Sequence, residues 1–186
     1  MRIAALLLSM LIAGTAQAGP ANPADVEQIM RGLGVGADSA ALNAVVASSV
    51  AEMKALPGSP VQSEEQISCI HRVMLNVGID NVRDGVVSAL GDQGDTVVAD
   101  WLAFMASPMG EAIVVRGRGD ADASDAMVKA MTAEQKEEAG RFLVSPSATR
   151  LMEALAAETD NAAGSARAHQ RLAADCDLHL PVDKSS

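Results

Sequence analysis

The sequence predicts an all-α protein: a compact helical bundle of about eight to ten short helices, two pairs of which form helix–Ser-Pro corner–helix units. Composition is the first reason. Of the 186 residues 49% are hydrophobic, with 35 alanines and ten methionines, which suits helices packed through Ala, Leu, Val and Met. The second reason is what is scarce. The aromatic residues are Trp101, Phe104 and Phe142 alone, tyrosine is absent, and β-branched strand formers other than valine are few. The third is punctuation, because capped starts and Gly or Pro stops recur along the chain. So high an apolar fraction excludes a solvated coil. A formal net charge of −10 excludes a surface that tracks phosphates, so no nucleic-acid partner is expected.

Residues 1–18 read as a secretory signal peptide. Arg2 is a minimal positive start, Ile3–Ile12 an almost unbroken apolar run, and Ala16-Gln17-Ala18 a small-x-small cleavage signal. The run is short for a membrane span and ends in small residues rather than charged anchors. No later segment is long enough to span either, so none is expected after cleavage. Residues 19–186 are expected to form one helical domain in the periplasm or outside the cell. In such a compartment two cysteines, Cys69 and Cys176, point to one disulfide, with free thiols or a bridge between chains as alternatives.

The elements follow in order. Asn22-Pro23 places an N-cap before a proline at the first helical position, and Gly32 to Gly36 ends that helix. A longer helix from Asp38 carries Leu42, Val45, Val46, Val50, Met53 and Leu56 as its apolar stripe, and Pro57-Gly58 stops it. Ser63 to Gln66 is a capping box opening a helix with Ile67, Ile70, Met74 and Val77 on one side. Cys69 and His71 lie on opposite rims of that stripe. Gly78 and Asp80 allow a break before a second segment, Asn81 to Leu90. Gly91 to Asp95 is a loop by composition. Thr132 to Gln135 is a second capping box, and the last helix starts near Asn161 and ends before Pro181.

Between Val97 and Leu155 the chain echoes itself. Phe104-Met-Ala-Ser107-Pro108-Met-Gly110 returns 38 residues later as Phe142-Leu-Val-Ser145-Pro146-Ser-Ala148. Proline pushes the serine before it out of the α region, so that serine caps the next helix while proline takes its first turn. The units are expected at about residues 96–115 and 133–157, each with its Phe under the corner. A charged link of small residues, Arg116 to Asp125, separates them.

These residues resemble a known family. Phe-x-x-Ser-Pro-x-Gly after a helix carrying Trp101 is similar to the motif of the bacterial "domain of unknown function 2059" family. Met131-Thr132-Ala133-Glu134 is similar to the turn-and-acid opening that precedes the motif there. The resemblance covers Val97–Leu155, and the N-terminal helices by general layout. The chain departs from the pattern at Ala148, where glycine is expected, and in lacking a second aromatic after either Phe. What the resemblance implies is an all-helical fold and export to the envelope, with no activity attached.

Chemistry-bearing motifs are sparse. No nucleophile elbow, zinc-protease helix or phosphate loop is present, and no catalytic residue is assigned. Neither a cofactor nor a metal site is expected. Cys69 and His71 point about 160° apart on one helix, and Cys176 with His179 offers two ligands where a closed zinc site needs four. Asp120, Asp122 and Ser124 begin like a calcium loop, but Asp125 and Met131 stand where glycine and a bidentate glutamate belong. Three functional expectations remain. A protein or peptide interaction module is favoured by Met105, Met109, Met127, Met131 and Met152 around the repeat. A carboxylate-only hydrolase or lyase would need two of Glu111, Glu134, Glu137 and Glu138 to converge. A small-ligand carrier would need an apolar cavity between the helices.

Overall fold

A computed structural model describes residues 18–55, 59, 61, 63–157 and 161–178. The helices are α1 (Pro23–Gly32), α2 (Ala40–Ala55), α3 (Glu64–Leu90), α4 (Gly94–Met105), α5 (Pro108–Gly117), α6 (Ala121–Ala130), α7 (Ala133–Leu143), α8 (Pro146–Ala156) and α9 (Asn161–Cys176). A 3-10 turn, Gly91–Gln93, leads into α4, and no strand occurs among the described residues. The expected signal segment lies outside them except for Ala18, as do Leu56, Pro57-Gly58 and Pro181. Among the described residues, no single helix is long and apolar enough to cross a membrane.

The helix starts form as their residues dictate. Asn22 accepts a hydrogen bond from Ala24 N with Pro23 at the first helical position. Ser63 with Gln66, and Thr132 with Gln135, make complete capping boxes, each satisfying backbone donors that the first helical turn leaves without partners. In α2, Val46 and Val50 are buried and Leu42 and Met53 pack beside them, but Val45 is 64% exposed. At about 100° per residue, Leu42, Met53, Val46 and Val50 fall within about 80° of arc, and Val45 lies about 60° beyond its edge.

The long helix α3 is the spine, with α1, α2, α8 and α9 packed on it. It runs unbroken through Gly78, contrary to the break expected there. The reason is a change of face. Ile70, Val73 and Val77 are buried on one side, while Leu75, Ile79, Val86 and Leu90 are buried on nearly the opposite side. The two stripes overlap between Leu75 and Val77, and Ile79 continues the second beyond Gly78, so packing holds the helix on both sides of the glycine. Burial of each aliphatic side chain is worth about 1.5–3 kcal/mol, against about 1 kcal/mol lost to a helical glycine.

Helix α9 runs antiparallel along the side of α3 that carries Cys69, Asp80 and Asp84. Cys69 and Cys176 form a disulfide with Cα atoms 5.8 Å apart. Arg171 reaches Asp80 at 3.5 Å, and Arg167 reaches Asp84 at 2.7 Å. Arg83 joins the same network, 2.9 Å from each aspartate and 3.6 Å from Glu27 of α1. Partial desolvation pushes the Asp84 carboxyl up, but hydrogen bonds from Arg167 and Arg83 outweigh it and hold the group below the usual carboxylate range. Half-exposed pairs of this kind add at most about 1 kcal/mol each, so they orient α9 while buried Ala168, Leu172 and Leu178 hold it.

Two expectations about connections are corrected. Gly91 to Asp95 is a 3-10 turn running into α4 rather than a loop. The link expected from Arg116 to Asp125 shrinks to Arg118–Asp120, because Asp120 caps α6 by accepting from Ala123 N at 2.9 Å. Aspartate is a strong N-cap, and the alanines behind it propagate the helix.

The bridge encloses 107 residues of sequence, so Cys69→Ser together with Cys176→Ser is expected to lower unfolding stability by about 4 kcal/mol. Urea unfolding followed by Trp101 fluorescence measures this. An unchanged midpoint would show that α9 docks without its bridge.

Candidate functional site: the paired Ser-Pro corners

The repeated letters fold into a repeated corner. Ser107 (φ −81°, ψ 161°) and Ser145 (φ −73°, ψ 158°) are extended, as residues before proline must be. Each hydroxyl accepts a 3.2 Å hydrogen bond from the amide three residues on, Gly110 in the first corner and Ala148 in the second. Pro108 and Pro146 open α5 and α8, where their missing N–H costs nothing.

The corners differ in how closely their arms approach. A Cβ on Gly110 would lie 2.1 Å from the Phe104 carbonyl oxygen and 2.4 Å from Met105 Cα. The first turn of α5 therefore presses directly on the last turn of α4. At the second corner Ala148 is buried with its methyl accommodated, so that corner is wider. The Gly-to-Ala departure in the second copy has a steric cause.

All three aromatic rings meet between the corners. Phe104 and Phe142 stack with centroids 4.1 Å apart and planes 12° from parallel. Trp101 stands edge-on to both, at 5.7 Å and 5.2 Å. Its indole N–H donates to the Ser147 carbonyl at 3.1 Å, and the Ser147 hydroxyl donates to Asp100 Oδ2 at 2.5 Å. Arg150 of α8 also donates to Gln93, ahead of α4. Adjacent residues of α4 thus grip the start of α8 while the ring of Phe142 reaches back from α7.

Beside the rings lies an open groove of about 300 Å³ between α4, the first corner and α7. Phe104, Pro108, Met109 and Phe142 supply its apolar floor, with Asp100 and Glu138 as its charged residues. Among the described residues named along it there is no Lys or Arg. Ser107 contributes to the wall, whereas Ser145 and Pro146 do not, so the groove belongs to the first corner and borrows Phe142 from the second unit. A second cavity of about 450 Å³, between α1, α4 and α5, is lined by Ile29 and Leu102 together with Arg31, Asp38 and Arg118.

Other residues marked from sequence sit apart. Of the five methionines around the repeat, Met109 lines the groove, Met131 is buried, Met105 and Met127 are half-buried, and Met152 is exposed. Glu111, Glu134, Glu137 and Glu138 are all exposed; Glu137 pairs with Arg141, and Glu138 alone of the four reaches the groove. Cys69 and Cys176 are bonded to each other, and His71 faces α2, with Nε2 3.5 Å from the Asn43 carbonyl. His169 is half-buried, and His179 lies outside the described residues. Among the described residues no group of three His, Cys, Asp or Glu is placed to hold a metal.

Asp100 and Ser147 were not marked from sequence, because each is a single polar letter whose partner is 47 positions away. Glu138 is named from sequence only as a candidate acid; the signal that places it here is the i, i+3, i+4, i+7 spacing of Gln135, Glu138, Ala139 and Phe142, all four of which line the groove. In comparisons with protein-family models, curated proteins and solved structures, the chain matches none.

Gly110→Ala is expected to cost about 2 kcal/mol or more through overpacking, whereas Ala148→Gly costs about 1 kcal/mol. Thermal unfolding of both variants checks the contrast. Equal losses would mean that the two corners are equally close.

Proposed function

We propose that the protein is an exported helical interaction module of the cell envelope, and that its groove at the first Ser-Pro corner holds an apolar peptide segment flanked by basic side chains. The observation that carries this is an aromatic and methionine lining whose charged members, among the described residues, are Asp100 and Glu138. Aromatic rings and methionine offer apolar contact at low entropic cost, and acids beside them favour a cation on the partner. Exposed Leu143, Val144 and Met152 add further apolar surface to the α7–α8 unit. Rigidity supports the same reading. The groove wall is built on helices locked by the ring cluster and by two serine caps, so little freedom is lost on binding.

Export is supported by Arg2, the apolar run Ile3–Ile12 and the Ala16-Gln17-Ala18 signal. The Cys69–Cys176 bridge suits an oxidising compartment. The resemblance of the Ser-Pro motif to the "domain of unknown function 2059" family agrees with an envelope role.

A photo-crosslinking residue at position 109 is expected to capture a partner from envelope extract, while one at position 65, outside the groove, does not. Ala103→Trp, which fills the groove from an exposed position, is expected to reduce capture at least tenfold. Charge reversal by Glu138→Lys weakens it comparably. Identical crosslinks from both positions, or none, would contradict the groove as the binding surface.

A further inference from the structure

The chain docks on α4 immediately after the expected cleavage signal. Asp95 donates its backbone N–H to the Gly19 carbonyl at 3.0 Å. The Gly19 backbone therefore lies against Asp95, near enough for its amide to influence the carboxylate. The same carboxylate accepts from Thr96 N at 2.6 Å and from the Thr96 hydroxyl at 3.2 Å, which fixes its direction. Two residues further on, Ala21 is 4% exposed. A Cβ on Gly94 would lie 2.6 Å from Ala21 N and 2.8 Å from Ala21 Cβ, so glycine there lets the segment lie flat on the helix start. Ala18, by contrast, is exposed. The Gly19 amide is the leading influence on the Asp95 carboxyl and keeps it below the usual range, with Thr96 adding to the effect.

We infer that Asp95 is a binding site for the chain's own processed terminus: cleavage between Ala18 and Gly19 converts the Gly19 amide into an α-ammonium, and Asp95 is its counter-ion. The step is a hydrolysis carried out by a signal peptidase. Water breaks the Ala18 C–Gly19 N bond, its hydroxyl completes the Ala18 carboxyl, and its proton goes to the Gly19 nitrogen. A second proton from solvent charges that amine, whose ordinary pKa of about 7.7–8.0 leaves it mostly protonated at neutral pH.

The precursor offers Asp95 a single neutral N–H, whereas the mature chain offers a full charge in the same place. Arg150 of α8 is engaged with Gln93. Removing the signal peptide therefore strengthens the contact that pins residues 19–21 across α4. The inference rests on the export reading above but not on the groove.

The test begins with the exported full-length chain. Intact mass and N-terminal sequencing should give Gly19 as the first residue. Urea unfolding is then compared for that mature protein and for a cytoplasmically made form carrying Ala16-Gln17-Ala18 ahead of Gly19, each with and without Asp95→Asn. The combined change is expected to fall short of the product of the separate changes by about two- to fivefold in the unfolding constant, as for one exposed ion pair. The shortfall should shrink in 1 M salt, as a charge interaction does. A mature terminus other than Gly19, or effects that simply multiply, would overturn the inference.

Discussion

The stack of Phe104 on Phe142 is the contact on which the rest of this molecule is arranged. It is the meeting point of two helix–corner–helix units that lie 38 residues apart in the chain. Trp101 closes the cluster edge-on and hydrogen-bonds beyond it, so one helix, α4, touches both corners. An aromatic pair of this geometry is worth about 0.5–1.5 kcal/mol beyond its buried area. Its larger effect is positional. The ring of Phe142 brings α7 against the first corner, and that placement creates the groove whose rim holds Asp100 and Glu138.

The remaining helices form a frame around α3. Its opposite faces are buried at its two ends, which lets one helix serve as the shared wall for α1, α2, α8 and α9. The disulfide and the Arg167–Asp84 and Arg171–Asp80 pairs fasten α9 along it. At the other end of the described chain, residues 19–21 are held across the start of α4. Both ends of the described chain are thus tied to the helices that carry the core.

Local signals proved readable wherever a residue's own backbone decides the outcome. Asn22-Pro23, Ser63 with Gln66, Thr132 with Gln135 and both Ser-Pro corners formed as their chemistry requires. The cysteine pair was also legible, through the redox argument rather than through geometry. Reading failed where packing decides. Gly78 and Asp80 allow a break, but α3 changes its buried face there and packing carries the helix through, a change that periodicity on one face does not show. Val45 was placed in a stripe that passes about 60° away from it. Asp100 and Ser147 were invisible, because their significance lies in a contact between units. The groove was legible only in part: Phe104, Ser107 and Pro108 mark the first corner and Phe142 the second, but nothing in the sequence joins Asp100 and Glu138 across 38 positions into one acidic surface.

The account makes the two units energetically one. A double-mutant cycle on Phe104→Leu and Phe142→Leu tests this most directly, with Trp101 kept as the fluorescence reporter of urea unfolding. The stack predicts a coupling energy of about 1 kcal/mol between the two substitutions. Strictly additive losses would show that the corners are stabilised separately, and that the groove between them is not held open by the rings.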